Sequence, residues 1–165
     1  MAGYETKTFS KHDDYMTPKK AWEDIKDYIP KDKVIWECFY GDGKSGEDLR
    51  SLGFEVIHEE IDFFNNNKGD IIISNPPFTK KKDIFQRLID IDKPFIMLCS
   101  QSLLFTQYFR NIMKDKPLQL IIPKKRIQFI KIVNGEYVKT GDRCNFDCFY
   151  YCYKIGLEND ILFLD

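Results

Sequence analysis

Asp70-Ile71-Ile72-Ile73-Ser74-Asn75-Pro76-Pro77-Phe78 is the stretch on which the reading of this 165-residue chain turns. A run of β-branched residues reads as a buried strand of a parallel sheet. It empties into two prolines, each of which fixes φ and removes a backbone donor. That places a rigid corner at the carboxyl edge of the sheet, the edge where open α/β sheets bind their ligands. The side-chain oxygen of Asn75 and the backbone carbonyl of Pro76 are acceptors suited to one planar amine, and Phe78 offers a face for stacking a ring. Taken alone, Asn-Pro is also a common turn opener, and Pro-Pro often ends a strand.

Outward from this corner, apolar runs alternate with helical patterns. Upstream, the spacing of Ala21, Trp22, Ile25, Tyr28 and Ile29 predicts a helix over 18–29, with Thr17 as its N-cap and Pro18 at the first helical position. Strands are expected at 33–38 and 54–58, with a short helix at 45–52 between them that Gly53 stops. Downstream come a helix at 80–91, a strand at 94–99, a helix at 102–114 and a strand at 118–122. Residues 123–145 read as irregular or hairpin-like, with Asn134-Gly135 as a tight-turn signal. The run from Phe146 to Ile155 reads as a central, buried strand. The alternation indicates an α/β fold with a mostly parallel, doubly wound sheet.

Composition narrows the class. The length suits a single domain at 14–165 after a flexible 1–13 segment, and the 43% hydrophobic and 15% aromatic fractions argue for a packed core. With 25 Lys and Arg against 26 Asp and Glu, no global basic field exists, so any nucleic-acid surface must be local. No apolar stretch reaches the ~20 residues of a membrane helix, and the first residues lack the apolar core of a secretory signal. The five cysteines are an odd number and sit in expected strands and turns, which indicates a reducing, intracellular compartment. Cys144, Cys148 and Cys152 are not in a metal knuckle and no histidine is near them, so they read as buried thiols and no metal site is expected.

A ligand site can be assembled from the loops that follow the strands. Glu37-Cys38-Phe39-Tyr40-Gly41-Asp42-Gly43 follows the first strand. Gly41 and Gly43 let backbone approach a ligand closely, and Glu37 is an acid able to hold a cationic amino group; a plain β-to-α turn is the alternative. An acid after the second strand commonly bonds ribose hydroxyls; Glu59 and Glu60 both qualify. Asp62-Phe63 could accept an adenine amine and pack its ring, or form an ordinary loop. Lys80-Lys81-Lys82 follow the corner, and Lys124, Lys125 and Arg126, with Lys131, Lys139 and Arg143, crowd the irregular segment. Beside a base pocket these become phosphate contacts; elsewhere such runs are simply solvated.

Together these motifs resemble those of class I S-adenosylmethionine-dependent DNA adenine-N6 methyltransferases of phage, viral and restriction type. Asp14-Tyr15-Met16-Thr17-Pro18 is similar to the Tyr-x-Thr-Pro motif of that family, Glu37 to Gly43 to its cofactor loop (with Cys38 where proline is common), Asp62-Phe63 to its adenine-contacting pair, and Asn75-Pro76-Pro77-Phe78 to its catalytic tetrad. The resemblance spans about residues 14–78 and is looser at Lys125-Arg126-Ile127-Gln128-Phe129 and the terminal strand. It implies a Rossmann-like methyltransferase sheet, and S-adenosylmethionine held by Tyr15, Thr17, Pro18, Glu37, Phe39, Gly41, Gly43, Glu59, Glu60, Asp62 and Phe63. It also implies methyl transfer to adenine N6 in DNA at Asn75, Pro76, Pro77 and Phe78, with Lys80, Lys124, Lys125 and Arg126 on the substrate backbone. The setting would be the cytoplasm, or the host cell of a virus. Two departures stand out: residues 59–69 leave room for only a shortened strand–helix unit, and no target-recognition domain follows, so a homodimer or partner subunit would supply site choice. RNA adenine or a protein glutamine amide are alternative acceptors, and a silent nucleic-acid-binding scaffold is the alternative outside catalysis.

Overall fold

The computed structural model describes residues 15–139 and 146–165. The 1–13 segment, Asp14, Asp142, Arg143 and Cys144 lie outside the described residues. Ten strands are present among the described residues: β1 (Tyr15–Met16), β2 (Ile35–Trp36), β3 (Val56–Ile57), β4 (Ile71–Ser74), β5 (Phe95–Ser100), β6 (Leu118–Ile122), β7 (Ile130–Val133), β8 (Glu136–Lys139), β9 (Cys148–Tyr153) and β10 (Ile161–Phe163). The helices are α1 (Lys19–Glu23), α2 (Lys44–Ser51), α3 (Lys81–Ile91) and α4 (Gln107–Met113). Among them no helix is long and apolar enough to cross a membrane.

Seven strands form one mixed, mostly parallel sheet in the order β10-β6-β9-β5-β4-β2-β3, in which only β9 runs antiparallel to its neighbours. The protein is therefore α/β. Side-chain alternation divides the core in two. Ile71, Ile73, Ile96, Leu98, Tyr150 and Cys152 meet Trp22 of α1 and Leu49 of α2 on one face. Ile72, Phe95, Met97, Tyr151 and Tyr153 meet Phe85 and Leu88 of α3 and Phe109 and Met113 of α4 on the other. A strand covered on both faces has no polar side to show, which is why 71–74 and 95–100 read as continuous apolar runs.

A second, three-stranded antiparallel sheet, β1-β7-β8, lies beside it. Asn134 and Gly135 both take positive φ, 51° and 80°, as a two-residue hairpin turn between β7 and β8 requires. Tyr15 pairs with Lys131 and Met16 with Ile130, so the hairpin is tied to a segment far upstream.

Several boundaries differ from the sequence reading. The helix expected over 18–29 ends at Glu23. Ile25 N–H turns back to the Trp22 carbonyl at 3.3 Å, a tighter i to i+3 closure that keeps both buried side chains in the core, and a 3-10 turn follows at Lys26–Tyr28. Its N-cap is Pro18, not Thr17, and no side chain caps it. The helix expected over 102–114 divides into a 3-10 turn, Gln101–Phe105, and α4. Thr106 between them is extended, and its hydroxyl donates to the Leu103 carbonyl at 2.8 Å. Between β3 and β4 stands only a 3-10 turn at Phe63–Asn65. The seventh strand of the sheet is instead β10, at the opposite edge, which the sequence reading did not anticipate.

Candidate functional site

From β2 the chain moves outward to β3, then crosses back to place β4 on the other side of β2. The sheet thus reverses its winding between β2 and β4, the place where open α/β sheets leave a crevice beyond the strands' carboxyl ends. A cleft open to solvent lies there. Three separate segments line it: Tyr15, Met16 and Thr17; Glu37, Phe39, Tyr40, Gly41, Asp42 and Ser45; and Asn75, Pro76, Pro77 and Phe78.

Glu37 lies at its floor, 1% exposed. Its Oε2 accepts from the Ser45 hydroxyl at 2.6 Å, and its Oε1 accepts from the Phe39 N–H at 3.2 Å and from the Ser74 hydroxyl. Trp22 Nε1–H in turn donates to Ser45 Oγ at 3.0 Å. Burial pushes the Glu37 carboxyl above its ordinary range, while nearby His58 and the three hydrogen bonds pull it back. Among the described residues no lysine or arginine is paired with this carboxylate. Cys38 beside it is buried, and its thiol is held well above the usual range by burial and by Glu37.

The loop after β2 builds the start of α2. Gly41 and Gly43 take positive φ, 60° and 84°, and Gly43 N–H closes a turn on the Tyr40 carbonyl at 2.9 Å. Gly43 is the N-cap and has no side chain to offer, so two others serve the helix's first donors. Asp42 Oδ1 accepts from Lys44 N–H at 3.0 Å, and His58 Nδ1 accepts from Gly46 N–H at 3.1 Å. His58 is buried, and its ring lies 4.9 Å from that of Tyr40, which lines the cleft. The small sheet reaches the same loop: the Tyr137 hydroxyl donates to Asp42 Oδ2 at 3.0 Å, and its pKa is raised by that bond.

Aromatic rings gather behind the Asn-Pro-Pro-Phe corner. Phe78 meets Tyr15 edge-on at 6.0 Å and Phe146 at 5.0 Å, and Phe146 also meets Tyr15 and Phe129. The Lys81 ammonium stands 4.8 Å from the centre of the Phe78 ring, within cation–π reach. Lys80, in a left-handed conformation (φ 58°), is the N-cap of α3.

The remaining expected residues fall outside the cleft wall. Pro18 caps α1 behind Thr17, and Gly43 sits at the start of α2. Past β3 the first residue is His58, which turns inward, so Glu59 and Glu60 are left exposed. Asp62 caps a 3-10 turn, its Oδ1 accepting from Phe64 N–H at 3.0 Å and its other oxygen from the Asn65 side chain. The Phe63 ring is fully buried between Trp36 (5.7 Å) and Phe39 (5.0 Å), where it supports the loop rather than facing the cleft. Lys124 and Lys125 are exposed. Arg126 instead grips Asp147 with two nitrogens, 2.7 and 3.2 Å, and holds that carboxyl below its usual range.

Met16, Tyr40, Asp42, Ser45 and Ser74 were not singled out from sequence as site residues. The first three stand inside motifs that were, and Ser74 directly precedes Asn75. Ser45 lies one residue into α2 and carries no local signal, because its role depends on Glu37 and Trp22 meeting it in space. Comparison with protein-family models gives no match for this chain, and comparison with curated proteins gives none either.

Proposed function

We propose that this protein is an S-adenosylmethionine-dependent methyltransferase of Rossmann-like fold acting on the N6 amine of adenine in DNA. The observation that carries the reading is the cleft at the switch point between β2 and β4, where Tyr15 to Thr17, Glu37 to Asp42 and Asn75 to Phe78 converge. The donor set suits the cofactor: Glu37 is a desolvated carboxylate with no lysine or arginine paired to it among the described residues, and a ligand ammonium set against it would favour the ionised form. Phe39, Tyr40 and Met16 supply apolar wall, and Gly41 leaves backbone uncovered. S-adenosylmethionine, when bound, supplies an electrophilic methyl group.

Adenine N6 is a poor nucleophile because its lone pair is conjugated with the ring. Asn75 Oδ1 and the Pro76 carbonyl accept from the two N6–H groups, which draws the lone pair onto nitrogen and stabilises the positive charge that develops there. Phe78 holds the base by stacking, and the rigid proline pair fixes the acceptors beforehand, so positioning supplies much of the acceleration. N6 gains one carbon and releases one proton to solvent, with no base needed before transfer.

The test is incubation with methyl-labelled cofactor and duplex DNA, single-stranded DNA, RNA or a glutamine-containing peptide, followed by product analysis. Labelled N6-methyladenine in DNA is expected. Asn75→Ala should abolish turnover and leave cofactor affinity within a few-fold. Label confined to RNA or to the peptide would reassign the acceptor, and absence of both cofactor binding and turnover would sink the reading.

A further inference from the structure

Phe105 is the most exposed large apolar side chain among the described residues, at 86%. It ends the 3-10 turn Gln101–Phe105, and that turn is firmly held. Ser100 Oγ accepts from Ser102 N–H at 3.3 Å, and Thr106 N–H and hydroxyl both donate to the Leu103 carbonyl. Leu103 is buried, and Tyr151, from the core, donates its hydroxyl to the Ser100 carbonyl at 2.8 Å. A rigid turn that presents a bare phenyl ring to water costs solvation, and core packing does not require it.

The place of the turn says what the ring could meet. β5 is the neighbour of β4 in the sheet, and Ser74, the residue before Asn75, is in register with Met97. β5 then continues through Leu98, Cys99 and Ser100, so the turn begins ~13 Å further along the strand direction than Ser74. Gln101 N–H is bonded to the Asp147 carbonyl at 2.8 Å, and the adjoining Phe146 packs on Phe78. The turn that ends in Phe105 therefore leaves the same carboxyl edge of the sheet as the corner, from the neighbouring strand. The flanks are cationic: Lys80, Lys81 and Lys82 open α3, with Asp83 the one acid in its first turn, and exposed Arg110 lies on α4, which packs against α3.

We propose that Phe105 is a wedge for duplex DNA: its ring enters the base stack next to the target adenine and fills the space left when that base leaves the helix. Apolar side chains on rigid supports are used in this way to unstack base steps, and an enzyme that works on a base inside a duplex must first extrude it. The proposal rests on the methyltransferase reading, because it presumes a base that has to reach Asn75. A duplex is the partner because a single strand holds no stacked pair to open.

The experiment compares the unaltered protein with Phe105→Ala and Phe105→Trp on one adenine-containing sequence, presented as duplex and as single strand. Phe105→Ala should lower methylation of the duplex ~10-fold, on the scale of one lost base–aromatic stack, and change single-strand methylation by less than twofold. Phe105→Trp should restore the duplex rate. Equal loss on both substrates, no loss on either, or failure of tryptophan to restore the rate overturns the wedge. So does an unaltered protein that methylates single strands only, an outcome that leaves the methyltransferase reading standing. If Phe105→Ala changes the sedimentation of the free protein, the ring is a subunit contact and the proposal falls. An unaltered protein that methylates no nucleic acid removes the methyltransferase reading, and the wedge with it.

Discussion

Gly46→Ala should destabilise this protein, although the same change inside an ordinary helix would help it. Gly46 lies in the first turn of α2, where alanine's helix propensity favours it over glycine by ~1 kcal/mol. A Cβ at this position would stand 2.0 Å from His58 Nδ1, 2.4 Å from its Cγ and 2.5 Å from its Cβ. These are not the loose end of a flexible chain, so the whole imidazole must leave its place. Overpacking of this kind costs ~1–3 kcal/mol. The departure also breaks the 3.1 Å bond that serves Gly46 N–H, a buried donor whose loss costs a further ~1–3 kcal/mol. Against the ~1 kcal/mol gain, the net is a loss of about 3 kcal/mol, or roughly 10 °C in melting temperature for a chain of this size. The assay is thermal and urea unfolding of the unaltered protein, Gly46→Ala, His58→Ala and the double variant. Removing the imidazole relieves the two ring contacts but leaves the 2.5 Å approach to the Cβ at 58, so alanine at 46 should cost less in the His58→Ala background than in the parent and the two changes should couple. A Gly46→Ala variant as stable as its parent, or two additive losses, would refute the reasoning. Because His58 packs on Tyr40, Gly46→Ala should also weaken ligand binding in the cleft.

Three further outcomes are expected. Glu37→Gln should reshape the pH dependence of stability: burial raises the folded carboxyl's pKa above 4.5, so the stability it contributes is full below that value and drains away as pH climbs through the folded value. The glutamine variant should therefore gain on its parent as pH rises above 4.5 in urea titrations, while S-adenosylmethionine affinity falls; parallel pH curves would contradict the assignment. Gly41→Val should block cofactor binding in calorimetry, since the site has φ 60° and a Cβ there stands 3.4 Å from Met16 Sδ at the cleft wall; unchanged affinity in a folded variant would move the pocket elsewhere. Neutralising Lys124 and Lys125 should weaken duplex binding about equally across sequences and flatten the salt slope by up to ~0.9 per lost contact. Arg126→Ala should add less, because Arg126 is already engaged by Asp147; a larger effect from Arg126 alone would reverse that ranking.

The residues themselves determined what depends on near neighbours. The apolar run 71–74 closed by Asn75-Pro76-Pro77, the helix that follows it and the Asn134-Gly135 hairpin were all legible, because strand propensity, helical spacing and turn chemistry act within a few residues. The burial of 148–153 was legible from its unbroken aromatic and thiol pattern. Only the tertiary structure decided what depends on distant partners. Two residues, Tyr15 and Met16, are too few to show a period, and they are a strand only because β7 pairs with them. The edge strand β10 likewise exists through its pairing with β6. Asp62-Phe63 reads as a ligand-contacting pair, yet folding sends the ring into the core and the carboxylate to a cap, since Trp36 and Phe39 offer more contact than water does. Arg126 belongs to a basic run in sequence and to an ion pair in space. The winding of the sheet itself, which reverses between β2 and β4 and so opens the cleft, is a relation among strands that no local window contains.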